Sequence, residues 1–438
     1  MKLGLGLGIG GSGNSLPRYV TDFANGFELP GDTFTGGPTV VADNDGTLVT
    51  SPADVLPIEG MRLTDGVWLP TDLSGDPIHA STPLRTTKGT VQKYAETYKG
   101  PLIEPARTNL LTYSERFDNG DWLKTSVIVT PNTSIAPDGT TTASTVQFSS
   151  TTARIFQVAT SKSFPIGAFS VWLRANTPCK INIYTSNNLA WGSGIWGEVY
   201  ITTAWQRFII SGSGSAGNDA FDTTGFGCID PATGTSDLPP VTIEAWGSQL
   251  EDGSFPTSYI PTGATTVTRP AANLTRPTAG TALASLNNWA VLTRFRPTAA
   301  GQTAVLWGSY TDANNATQID LAPTTLTFKK RLEGVDYTAQ ASLTHAADTL
   351  YEALLYQHSV HGMGIMVRSW NGSAWSAWSA WATNADTQNA PIASTYQIGA
   401  RNNANHFAAN YPFTEIIRLN PNLHPQTQLA SLLAKGRI

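Results

Sequence analysis

Period-two alternation of apolar and polar residues constrains this chain more than any other feature of its sequence. Residues 169–174, 180–184, 198–202, 205–210 and 241–246 alternate, and the pattern returns at 290–295, 303–307, 317–321 and 325–328. Successive side chains of an extended strand point to opposite faces, so such segments bury one face and wet the other. Gly, Asn, Ser and Pro separate them, and Asp45-Gly46 and Asp65-Gly66 between short apolar pieces are hairpin signals. No helix-length pattern interrupts the strands between residues 105 and 270. From Pro425, the residues Leu429, Leu432 and Leu433 fall at i, i+3 and i+4, the packing stripe of a short helix that Gly436 ends. The predicted fold class is all-β: an extended N-terminal arm, antiparallel β-sandwich domains of jelly-roll type, and a short C-terminal helix.

Composition narrows the function. Only 13% of the 438 residues are charged, against about 25% in ordinary soluble domains. Thr, Ser, Gly, Asn and Ala take their place. Aromatic content of 10% argues against disorder, and a net charge of -5 offers no basic field for nucleic acid. No apolar run reaches the ~18 residues of a membrane helix. Cys179 and Cys228 are too far apart in sequence to decide whether they pair. The nucleophile elbow, the zinc-protease helix motif, paired CxxC and the phosphate loop are absent. His358 and His361, three apart in a strand, are predicted to face opposite sides. No catalytic residue is assigned and the chain reads as a non-enzyme. The alternative is a glycan depolymerase with two carboxylates contributed by different strands.

The sequence divides into four regions. Residues 1–30 form a glycine-rich arm in which Gly alternates with Leu5, Leu7 and Ile9. Its GxGxxG matches lack the flanking strand and helix of a dinucleotide site, and Pro17 follows. Small residues let another backbone approach, so the three apolar side chains are expected to dock in a groove of another protein. Residues 31–104 read as a small β-rich region and 105–272 as a jelly roll. A Thr-, Pro- and Ala-rich linker at 269–278 marks the boundary to a last sandwich, 273–438. Within it, Asn371-Gly372 predicts a type I′ turn leading into the strand-like residues 373–381.

Three stretches carry a family resemblance. The first runs from Gly100 through Glu104, Arg107, Asn109 and Glu115 to Phe117 and Trp122. The second is Thr130-Pro-Asn with Ala136-Pro-Asp-Gly-Thr140. The third runs from Gln249 through Tyr259 to Gly263 and closes at Arg269-Pro270. Together they resemble a carbohydrate-binding-module-like jelly roll common in structural proteins of tailed phages and prophages, in tail fibres, head fibres and spikes. Residues 280–438 are similar to concanavalin A-like or laminin-G-like sandwiches. The resemblance implies a virion-surface protein, anchored to capsid, portal or tail proteins by its arm. It implies an adhesin for host-surface glycans assembled as a homo-oligomer, with a trimer favoured. A capsid or tail decoration protein without glycan binding is the alternative. Modules of this kind also carry structural calcium near their chain ends. Asp118, Asp121 and Glu251 offer hard oxygen ligands for it, and no other cofactor is expected.

Aromatic residues supply the binding candidates. Sugars stack apolar CH faces on aromatic rings while polar side chains hydrogen-bond their hydroxyls. Trp191 and Trp196, with Asn187 and Asn188, lie in a Gly-, Asn- and Ser-rich stretch that reads as an exposed loop. Trp375, Trp378 and Trp381 form a second candidate set. At a spacing of three they are not expected to share one face of a flat strand. Interdomain or intersubunit packing competes with glycan contact there. Trp172, Trp205, Trp246 and Trp307 lie inside alternating strands and read as core.

Overall fold

The computed structural model describes residues 100–158, 166–186, 194–213, 223–231, 233–235, 238–278, 288–388, 392–399, 409–419 and 422–434, together with short segments between residues 18 and 69. The fold is all-β, with one α-helix, Pro425–Ala434, among the described residues. No helix among them is long and apolar enough to cross a membrane. Leu5, Leu7 and Ile9 lie outside the described residues.

The first sandwich is built from two five-stranded antiparallel sheets. One sheet runs, in spatial order, Leu123–Thr125, Arg154–Val158, Thr223–Gly227, Cys179–Ser186 and Ile195–Ile201. The other runs Val127–Ser134, Ala143–Phe148, Thr242–Asp252, Ile166–Arg174 and Gln206–Ser213. Alternation sorts the side chains as the sequence predicts. Phe169, Val171 and Leu173 enter the core with Phe148, Ile181, Ile183 and Phe226. Phe117 and Trp122 close it, their rings 4.9 Å apart.

The second sandwich pairs a seven-stranded sheet with an eight-stranded one. Its strands are not confined to the C-terminal part of the sequence. Gly100–Ile103 and Arg18–Asp22 both pair with Ala409–Arg418, and Thr33–Thr35 pairs with Asn273–Pro277. Ile103, Ala272 and Leu274 are buried in the same core as Trp289, Trp307 and Phe328. The first sandwich is therefore an insertion between two strands of the second. This corrects two boundaries drawn from sequence. The linker at 269–278 is largely strand, its Thr residues fitting a pleated surface and Pro277 falling at a strand end. Before residue 104, Arg18–Asp22, Thr33–Thr35, Ile58–Glu59 and Gly100–Ile103 pair into the second sandwich, whereas Thr39–Ala42 with Leu48–Ser51 and Arg62–Thr64 with Val67–Leu69 form separate hairpins.

The motif stretches meet where the chain passes between the sandwiches. Glu104, just before the insertion, and Arg269, just after it, form an ion pair at 2.7 Å with side chains only 4% and 3% exposed. Ser258 donates to both Glu104 oxygens, from its amide at 2.8 Å and its hydroxyl at 2.6 Å, and accepts from Arg269. The Ala272 amide donates to the Glu104 carbonyl. One turn inward, Asn109 uses its whole side-chain capacity. It donates to the carbonyls of Ser248 and Ile260 and accepts from the amides of Leu111 and Leu250. The Tyr259 ring lies 4.7 Å from Trp246 at a tilt of 52°, and its hydroxyl shares a hydrogen bond with Ser114 at 2.6 Å.

Glu251 belongs to this buried network. It is fully buried and accepts from Gln249 Nε2, the Thr257 amide and the Thr257 hydroxyl at 2.6–2.7 Å. Burial raises its pKa above the ordinary carboxylate value, against the pull of those hydrogen bonds. The first and third resemblance stretches therefore tie the ends of the insertion together. Removing one member of a buried ion pair leaves the other charge uncompensated, at a cost of about 3–5 kcal/mol. Glu104→Ala is expected to lose stability on that scale in urea unfolding monitored by tryptophan fluorescence.

Candidate functional site

Ile195–Ile201 is an edge strand, and its alternation assigns its faces. Ile195 and Val199 pack on the core, whereas Trp196, Glu198 and Tyr200 are exposed. Across the ladder Trp196 faces Tyr184, Glu198 faces Asn182, and Tyr200 faces Lys180. Trp196 is 43% exposed and Tyr200 57%, large values for aromatic rings on a sheet. Tyr184, on the same face of the sheet, is buried and packed with Phe156 and Ile229. The neighbouring central strand carries Gly225, where a Cβ would lie 2.1 Å from the Ile155 carbonyl oxygen, so only glycine fits the backbone approach.

Asp230, Thr233, Thr235 and Leu238 form the opposite wall. The Asp230 amide donates to Thr235 O, the Gly234 amide returns to Asp230 O, and the Thr233 hydroxyl donates to the Asp230 carboxylate. Gly234 takes a φ of 76°, which this tight return requires. Asn182 ties wall to sheet by donating to the Ile229 carbonyl at 3.0 Å. Between wall and strand lies a cleft of about 380 Å³ lined by Trp196, Glu198, Asn182, Asp230, Thr233, Thr235 and Leu238. Glu198 pairs with Lys180 at 2.5 Å. The cleft thus sets one exposed indole beside carboxylate, hydroxyl and amide groups, a combination that stacks on and hydrogen-bonds a polyol.

Of the predicted binding residues, Trp196 lies in this cleft. Trp191, Asn187 and Asn188 lie outside the described residues. Sequence reading missed Asn182, Glu198, Tyr200 and the wall of Asp230, Thr233, Thr235 and Leu238. The outward phase shared by Trp196, Glu198 and Tyr200 was the signal available for two of them.

The tryptophan repeat forms a different structure from the one predicted. Asn371 accepts from the amides of Ser373 and Ala374, closing a four-residue loop between the bridged Trp370 and Trp375 instead of a two-residue turn. Ser376 then exchanges hydrogen bonds with Ser369, Ser379 with Val367, and Ala382 pairs with Ile365. Three residues of the repeat thus span two residues of the partner strand, one extra residue per step, as in successive bulges. That mismatch places the tryptophans on one side despite their spacing. Arg368 lies 4.8 Å from the Trp375 ring and 4.3 Å from the Trp378 ring. Its guanidinium and that of Arg294 both pair with the fully buried Glu352. Trp381 meets Tyr356 edge-on at 5.1 Å, and Trp378 and Trp381 pack on the cluster that holds Leu429 of the helix. All three rings are half-buried by contacts within the chain.

The structure does not gather Asp118, Asp121 and Glu251 into one site. Asp118 pairs with Arg116, Asp121 accepts from Thr112, and Glu251 is enclosed as described. Among the described residues no group of three or more His, Cys, Asp or Glu is placed to hold a metal ion. Cys179 and Cys228 are both free thiols. His358 and His361 do not point apart. The strand ends at His358, and the following turn brings their rings to 4.9 Å, with His424 a further 4.4 Å from His361.

These roles separate in stability measurements. Trp378→Ala is expected to cost about 2 kcal/mol, below the ~3–5 kcal/mol of a fully buried tryptophan. Trp196→Ala is expected to stay within about 0.5 kcal/mol of the parent, as exposed positions do. Parallel urea titrations of the two variants check this.

No family model matches the chain, and no curated protein matches it. Solved structures do, 77 chains in all. They include a receptor binding domain, 9% identical over 38% of this chain with a TM-score of 0.29. Another is a botulinum neurotoxin type C structure whose cell entry depends on two ganglioside molecules, 8% identical over 38% of this chain with a TM-score of 0.28. A third is the binding domain of botulinum neurotoxin DC in complex with rat synaptotagmin II, 10% identical over 38% with a TM-score of 0.27. The match spans 40% of the length of each of these chains. Agreement at this level carries no functional information, and the reading of the cleft rests on its own residues.

Proposed function

We propose that this chain is a non-enzymatic glycan-binding protein, a fibre or spike adhesin on the surface of a tailed-phage virion. The observation that carries the binding half is the Trp196 cleft. It joins an exposed indole to the acceptors Glu198 and Asp230 and the hydroxyls of Thr233 and Thr235. Binding is favoured over hydrolysis because both carboxylates have partners. Glu198 is held by Lys180, and Asp230 takes a hydroxyl from its own turn.

The virion half rests on the three sequence stretches and on the alternating glycine arm. In this reading Leu5, Leu7 and Ile9 anchor the chain to a capsid, portal or tail protein, and three copies assemble. Deleting residues 1–16 is expected to leave a folded protein that no longer enters particles, scored by immunoblot of purified virions. Normal incorporation would remove the anchor. For the cleft, Trp196→Ala is expected to weaken host-cell and glycan-array binding at least about tenfold, or ~1.4 kcal/mol, with an unchanged melting temperature. A parent protein that binds neither cells nor arrays, or that releases reducing ends from host polysaccharide, defeats the adhesin reading.

A further inference from the structure

A second cavity continues the first. It measures about 630 Å³ and lies against Lys180 and Tyr200 on the sheet and the Leu238–Thr242 segment opposite. Leu238 lines both cavities, so they adjoin along one wall. On the other wall Trp196, Glu198 and Tyr200 share the outward face of a single strand. At about 3.3 Å per residue, Trp196 and Tyr200 stand about 13 Å apart, well beyond the length of one hexose unit. The two aromatic side chains therefore mark the ends of a groove with polar groups between them. A pocket for a terminal sugar closes around one ring. This groove instead passes from one cavity to the next.

Charge narrows the ligand further. Among the described lining residues, Glu198 and Asp230 bring two carboxylates to the groove, and the lysine there, Lys180, is paired with Glu198. A uronate, sialate or sulfate laid along this strand meets like charge from those two side chains. We infer that the ligand is an interior segment of a linear, uncharged polysaccharide, lying along the Ile195–Ile201 strand from Trp196 to Tyr200. This inference rests on the glycan reading of the Trp196 cleft and adds the chain length and charge of what it holds.

The test uses the full chain on a length-graded array. The array carries linear glucans, mannans, galactans and xylans from disaccharide to hexasaccharide, beside polygalacturonate, alginate and polysialic acid. At least one neutral backbone is expected to gain about tenfold or more in affinity between disaccharide and hexasaccharide. Tyr200→Ala is expected to remove that gain, with a melting temperature equal to the parent's. Equal affinity for short and long chains, a gain that survives Tyr200→Ala, or preference for an acidic polymer overturns the inference while leaving a glycan-binding protein. Failure to bind any member of the array overturns the glycan reading as well.

Discussion

The buried ion pair between Glu104 and Arg269 is the contact on which the architecture depends. A sandwich inserted between two strands of another must leave and rejoin its host at nearly one point. Here an antiparallel ladder of Arg107–Asn109 with Val267–Arg269 brings the two ends together, and the ion pair fixes their side chains. The two charges are almost fully removed from water, and Ser258 supplies hydrogen bonds to both. Such a pair contributes little net stability relative to an apolar pair of the same shape, but it tolerates few alternative arrangements. The surrounding network of Asn109, Gln249, Glu251 and Thr257 extends that restriction through backbone groups, each satisfied by a named partner.

The sequence made some of this legible and hid the rest. Alternation in 169–174, 198–202 and 241–246 identified strands and their inward faces, because side-chain direction in a strand follows local order alone. The C-terminal helix was legible from Leu429, Leu432 and Leu433 for the same reason. The insertion was not, because pairing of Gly100–Ile103 with Ala409–Arg418 joins residues some 300 positions apart, and no local pattern encodes a partner. The motifs around Glu104 and Tyr259 were visible as a resemblance, yet their task of tying strand ends together emerged only from their contacts. Trp196 was chosen correctly as exposed, but as part of a loop. It stands on a strand, and the opposite wall of its cleft comes from residues 34 or more positions downstream.

The two tryptophan sets show how one residue type serves opposite ends. In the second sandwich, a repeat of three matched to a strand step of two keeps Trp375, Trp378 and Trp381 in register over Arg368 and Tyr356. Cation–π and edge contacts hold those rings against their own sheet, where they cover the outer face together with the helix. In the first sandwich, Trp196 has a buried aromatic across the ladder and an open cleft on its other side. Apolar surface kept exposed beside converging polar groups is the usual arrangement of a ligand site. Burial, more than abundance, distinguishes the tryptophan that supports the fold from the one free to bind.

In the proposed function, ligand sits in the cleft between the Ile195–Ile201 strand and the wall of Asp230, Thr233, Thr235 and Leu238. A crystal structure of the chain with a bound neutral oligosaccharide is expected to show a sugar ring lying flat on the Trp196 indole, with hydroxyls donating to Glu198 or Asp230. Sugar density at the Trp375–Trp381 ladder, with the Trp196 cleft left to solvent, would contradict it.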